Sequence, residues 1–317
     1  MSRAIVCREL GPPAGLSFEE WPSRPLRPGE ARVRIAAAGV NFPDFLMVQG
    51  LYQHKPPLPF VPGFEGAGVV IEVGDGVTNV AIGDPVILRL RAGTFAEAAI
   101  SPAGDLWPLP PGWSMAEGAA MPTVAVTADV ALVARGRVEA GEVLLVLGAG
   151  GGVGLAAVEL GAMLGLDVVA VASTPEKRRA ALDRGAAEAV AAIPPGLKAD
   201  VVFDPVAGDQ FMPALETLVP GGRYLVIGFA GGPPGRPETD LVQRREVSIL
   251  GVRAGEYGRR DPAAGRASRD RVLAWAAAGH LKPLIGGRYP LACAAEALEA
   301  LGQRRAIGKL ILEPAGP

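Results

Sequence analysis

The chain has 317 residues, 49% of them hydrophobic, and a formal net charge of −2 from 31 basic and 33 acidic side chains. That length supports two domains and a large core, while the charge balance, with no dense basic cluster, argues against a nucleic-acid partner. No apolar run approaches the roughly 20 residues of a membrane helix, and residues 1–10 (MSRAIVCREL) lack a leader's apolar stretch, so a cytoplasmic protein without a membrane partner is expected.

Residues 1–122 are rich in Pro and Gly and carry short β-branched runs at 31–37, 68–73, 85–90 and 96–100. Strands at such intervals predict an antiparallel β domain. Residues 123–255 alternate strand and helix, the pattern of a parallel sheet covered on both faces. Strands are predicted at 143–147, 167–172, 188–191, 200–204, 222–228 and 247–252, which fits a doubly wound sheet of order 3-2-1-4-5-6. Only residues 192–199, with Pro194-Pro195-Gly196, join the third strand to the fourth. That link must cross about three strand spacings of ~4.8 Å. Its residues can do so extended, at ~3.3 Å each, with none left for a helix. From 256 onward come a helix at 269–278, a strand at 287–289, a helix at 292–301 and a strand at 309–312. This tail is expected to return to the first domain, giving 1–122 with 256–317 as one domain and 123–255 as the other. The sixth strand falls at a sheet edge, with Val247, Ile249 and Leu250 exposed unless paired.

Cys7, Cys293, His54 and His280 are the only cysteines and histidines. They support neither a disulfide framework nor the closely spaced ligand set of a zinc site, so no metal is expected. Both cysteines sit in apolar segments as small hydrophobes.

The most informative stretch is 143–154, VLLVLGAGGGVG. A buried-strand run leads into Gly148, Gly150, Gly151, Gly152, Val153 and Gly154, followed by an apolar-periodic segment at 155–164. Strand, glycine turn and helix bring backbone N–H groups and a helix N-terminus against a phosphate. The spacing departs from G-x-G-x-x-G, because Val153 stands where a third glycine counted from Gly148 would fall. The flanking strand and helix supply the context that the motif needs, so Gly148, Gly150, Gly151, Gly152 and Val153 are the expected pyrophosphate contacts of a dinucleotide-binding oxidoreductase.

The next strand ends Ala172-Ser173-Thr174-Pro175 without the acid that bonds a ribose 2′-hydroxyl in NAD sites. Small hydroxyls at Ser173 and Thr174, with Lys177 on the following helix, suit a 2′-phosphate. NADP(H) is therefore the expected cofactor. Arg178 and Arg179 are read as the solvated face of that helix.

Several further segments carry a family resemblance: Gly39-Val-Asn41-Phe-Pro-Asp44, Gly50-Leu-Tyr52, Pro59-Phe-Val-Pro62-Gly63-Phe-Glu65-Gly66-Ala-Gly68, Gly83-Asp84, Gly93-x-Phe95-Ala96-Glu97 and Gly308-Lys309. With the glycine turn, they make nearly the whole chain resemble the zinc-independent medium-chain dehydrogenase/reductases, in particular the NADPH:quinone oxidoreductase group that includes zeta-crystallin. The resemblance implies an α/β fold in which a doubly wound Rossmann parallel sheet joins a mainly β, GroES-like catalytic domain. Zinc-dependent relatives place Cys where this chain has Asn41 and His-Glu where it has Phe64-Glu65, so it implies hydride transfer without a metal.

It also implies that Asn41 bonds the cofactor's ribose or carboxamide region and that Tyr52 lies at the nicotinamide. There the phenol would donate to a substrate oxygen gaining negative charge or deliver its proton. By the same resemblance Thr127, Gly228, Phe229, Val252 and Lys309 approach the cofactor. Core packing explains Phe229 equally well, and a surface lysine explains Lys309 nearly as well. Related chains carry an aromatic pair where this one has Ala128-Asp129. The implied activity is reduction of a quinone or an α,β-unsaturated carbonyl, a small electrophile. Reduction of an enoyl thioester and a crystallin-like structural role are the alternatives. Relatives often pair the sixth-strand edge across a two-fold axis, which implies a homodimer.

Overall fold

A computed structural model describes residues 2–314, and they fall into two compact units. One joins the residues up to Thr123 to those from Leu284 onward; the other is Val124–Pro283. The return to the first unit therefore lies near Leu284, not near 256 as expected. An ion pair on a buried carboxylate explains the difference. Asp129 is fully buried, Arg271 reaches its two carboxylate oxygens at 2.8 Å each, and Ser268 donates to it as well. Separating these partners would strand a buried charge, so helix Pro262–Ala277 stays with the second unit.

The first unit is built on a seven-stranded, mainly antiparallel sheet. Its long strand Glu30–Val40 pairs with Glu65–Val73, Ala98–Pro102 and the terminal strand Lys309–Glu313. Ala31, Val33 and Ile35 alternate inward with Arg32 and Arg34, as a half-covered strand requires. From Ala37 to Val40 every residue is buried, because helix Met115–Ala120 packs against this end. The terminal strand lies in register Leu310↔Val40, Ile311↔Gly39 and Leu312↔Ala38. That pairing carries Lys309 to the start of helix Phe42–Val48. A two-stranded ladder of Ser2–Val6 with Ser17–Trp21, unforeseen from the sequence, seals Cys7 in the core.

The second unit holds six parallel strands. Their order is Glu188–Val190, Asp167–Val171, Val143–Val146, Ala199–Asp204, Leu218–Val226 and Ser248–Gly251. Leu144, Leu145 and Val146 are fully buried. Each such side chain contributes about 1.5–3 kcal/mol relative to exposure, which is why this strand reads as an unbroken apolar run. No helix intervenes between Val190 and Ala199; Ile193 and Leu197 of that link pack onto the core instead. At the sheet edge Ile249 and Leu250 are half-buried. Val247, expected to be exposed unless paired, is instead buried in the cluster that Leu241 and Val242 flank. No helix among the described residues is long and apolar enough to cross a membrane.

Candidate active site

In the second unit the chain leaves strand Val143–Val146 through Leu147 and turns at Gly148, whose φ of +59° lies in the left-handed region that favours glycine. Gly151 is the N-cap of helix Gly152–Met163, and Val153 lies in its first turn. A Cβ on Gly154 would fall 2.3 Å from the Gly148 carbonyl oxygen and 2.8 Å from Ala149 Cα. Only glycine lets the helix approach the strand this closely. The turn thus has the cradle and the helix N-terminus that a pyrophosphate needs.

The residues expected at the 2′-phosphate gather beside it. A Cβ on Gly150 would lie 2.5 Å from both Cβ and Cγ of Lys177, so the lysine stem crosses the glycine turn. Ser173 is exposed at the end of strand Asp167–Val171. Thr174 has a further duty: its Oγ1 accepts from Lys177 N at 3.3 Å and caps helix Pro175–Leu182. Arg179 pairs with Asp183 on the exposed face, as expected. Arg178 does not: its guanidinium folds back to donate to the carbonyls of Ala172 (3.1 Å) and Ser173 (3.3 Å).

The end of the fourth strand forms another wall of this turn. Asp204 is buried and accepts from Val206 N (2.7 Å), Ala207 N (2.8 Å) and the Tyr224 hydroxyl (2.6 Å). Burial and the Asp204 charge push the Tyr224 phenol well above its ordinary range. These bonds hold Ala207 at a φ of +56° and set Val206 against Gly148. Sequence reasoning missed Asp204; an acid ending a buried strand was its only signal. Gly228 N donates to Asp204 O at 3.3 Å, and Val252 N donates to Val226 O at 2.9 Å. Val252 is buried, whereas Phe229 is 44% exposed and so does not serve as core. Thr127 is half-buried on helix Pro122–Asp129.

In the first unit the structure brings Asn41 and Lys309 together. The buried Lys309 ammonium donates to Val40 O (2.9 Å), Asn41 Oδ1 (2.6 Å) and Glu65 Oε1 (2.7 Å). Asn41 Nδ2 donates to Gly39 O (3.2 Å) and Glu65 Oε1 (2.8 Å). Glu65 Oε2 accepts from Thr123 N at 2.7 Å. Lys309, expected either at the cofactor or at the surface, is 3% exposed and spends all three protons inside this unit. The fully buried Asp44 accepts from Asn41 N (2.9 Å) and Gly63 N (3.2 Å), and burial pushes its carboxyl up to about 7. Tyr52 is half-buried and packs edge-on against Phe64, with ring centroids 5.7 Å apart. Phe64 thus serves as a wall beside the phenol. Among the described residues, no group of three or more His, Cys, Asp or Glu side chains is placed to hold a metal ion.

Known proteins share this architecture. Residues 27–111 match the alcohol dehydrogenase GroES-like domain, and residues 180–312 match a family described as zinc-binding dehydrogenase. Quinone oxidoreductase-like protein 2 of Rattus norvegicus is 35% identical across 98% of this chain and 91% of its own length. The quinone oxidoreductase of Thermus thermophilus, solved also in complex with NADPH, superposes with a TM-score of 0.86 at 33% identity, over 98% of this chain and 99% of that one. The Pseudomonas syringae quinone oxidoreductase gives a TM-score of 0.90 at 30% identity, over 99% and 100%. The chain belongs to the medium-chain dehydrogenase/reductase family of oxidoreductases, within its quinone oxidoreductase-like group.

Proposed function

We propose that this oxidoreductase uses NADPH to reduce quinones or α,β-unsaturated carbonyls without a metal. The observation that carries the reading is the glycine turn crossed by Lys177, beside a strand that ends in Ser173 instead of an acid. The likeness to a quinone oxidoreductase solved with NADPH supports it. The amides of Gly148, Gly150, Gly152 and Val153 hold the pyrophosphate, while Gly151 N closes the turn on Gly148 O at 3.1 Å, and Ser173, Thr174 and Lys177 take the 2′-phosphate. Thr127, Gly228, Phe229 and Val252 serve the nicotinamide half. When bound, NADPH supplies a hydride donor.

Tyr52 donates a hydrogen bond to the substrate oxygen as it gains negative charge, which lowers the barrier. It can also pass that oxygen its proton. Asn41 cannot share the task, because both of its amide hydrogens are already bonded. Asn41 at a relative's cysteine position and Phe64 at a histidine position support the metal-free reading. The strand Ser248–Gly251, whose partner in the sheet is Leu218–Val226, is proposed to pair with a second copy in a homodimer.

Steady-state NADPH oxidation with a benzoquinone, a simple enone and an enoyl-CoA tests the proposal. Turnover of the quinone or the enone is expected. Turnover of the enoyl-CoA alone would replace the substrate class. Tight NADPH binding without any turnover would leave a cofactor-binding structural protein.

A further inference from the structure

We infer that Lys309 and Glu65 are positioning residues that fix Asn41 as a hydrogen-bond acceptor toward its ligand, and that Lys309 touches no ligand itself. The inference rests on the dinucleotide reading above. An ammonium has three protons, and those of Lys309 go to Val40 O, Asn41 Oδ1 and Glu65 Oε1. An amide NH2 has two, and those of Asn41 go to Gly39 O and Glu65 Oε1. Turning the Asn41 amide over would set its NH2 against the ammonium. The same turn would set its oxygen against a carbonyl and a carboxylate. Its three contacts would then become repulsive, so the amide is held in one orientation.

Any further bond made by the Asn41 side chain is one it accepts at Oδ1. The group it recognises must bring an O–H or N–H, as a ribose hydroxyl or a carboxamide does, and a developing oxyanion finds no donor there. Glu65 extends the same lock to the chain entering helix Pro122–Asp129, through Thr123 N. The terminal strand completes the arrangement, since Lys309 arrives only when Leu310 pairs with Val40.

The chain has two asparagines, Asn41 and the exposed Asn79. Selective 15N-asparagine labelling of the full chain therefore yields two side-chain NH2 pairs in an NMR spectrum. One pair, from Asn41, is expected to exchange slowly with solvent and to stay protected when NADPH is added. Fast exchange of both pairs would overturn the inference.

The variant Glu65→Gln/Lys309→Met removes both charges together, so neither member of this pair is left without the other. It should lose the slow Asn41 pair and bind NADPH about tenfold or more weakly, by nucleotide fluorescence titration. Asn41→Ala should weaken NADPH comparably, and the triple variant should be no weaker than Asn41→Ala alone, because residues acting through one group are not additive. Losses that multiply would show Lys309 acting on the ligand directly and would sink the inference. Unaltered NADPH binding by the double variant would do the same. A wild-type protein with a slow Asn41 pair but no NADPH affinity would instead reject the dinucleotide reading on which the inference stands.

Discussion

Asp44→Asn should change how stability depends on pH. Asp44 is fully buried, and its carboxyl is pushed up to about 7 from an ordinary 3.8, first by burial and then by the nearby Glu65, against the opposing pull of Lys309 and two backbone N–H bonds. In the unfolded chain the same carboxyl titrates near ~3.9. Between those pH values the folded protein keeps a proton that the unfolded chain has released. Stability from this group is therefore full below the unfolded value and is lost as pH rises toward 7, by about 4 kcal/mol in all.

An asparagine has no proton to release, so this slope disappears. The substitution has its own pH-independent cost, about 1 kcal/mol, because its NH2 cannot accept from Asn41 N or Gly63 N. The variant should lie slightly below the wild type near pH 4, cross it between about pH 4 and 5, and exceed it by roughly 3 kcal/mol at pH 8. Urea unfolding midpoints measured from about pH 4 to 8 would show the two curves crossing and then diverging. Parallel curves would refute a buried Asp44 that holds its proton into the neutral range.

Tyr52→Phe should lower kcat while leaving NADPH affinity nearly unchanged, since the phenol acts only as charge develops; an undiminished kcat would reject the catalytic phenol. Lys177→Ala should weaken NADPH far more than NADH in parallel titrations, and an equal loss for both would reject the phosphate assignment. Gly154→Ala drives a Cβ into the backbone at Gly148 and Ala149. It should cost about 1–3 kcal/mol by overpacking and weaken NADPH as well, and an unchanged Tm would show that the helix yields freely.

Features encoded within a few neighbouring residues are legible in the chain itself. The apolar run at 143–147 specifies a strand covered on both faces, the glycines after it specify a tight turn into a helix, and the short 192–199 link excludes a helix. The strand order follows from these, because a parallel sheet allows few connections. Groups whose partners lie far along the chain are not legible. Lys309 sits 268 residues from Asn41 and 244 from Glu65, and strand register alone brings them together. Arg271 reads as an ordinary helix charge until Asp129, 142 residues earlier, is seen buried beneath it. The two architectures, the glycine turn and the missing acid after the second parallel strand are all written locally in the chain. Which polar side chains are spent on one another is set by the long-range pairing of the fold. The physical reason is that a buried polar group must find its partner wherever the fold supplies one, and local sequence does not record where that is.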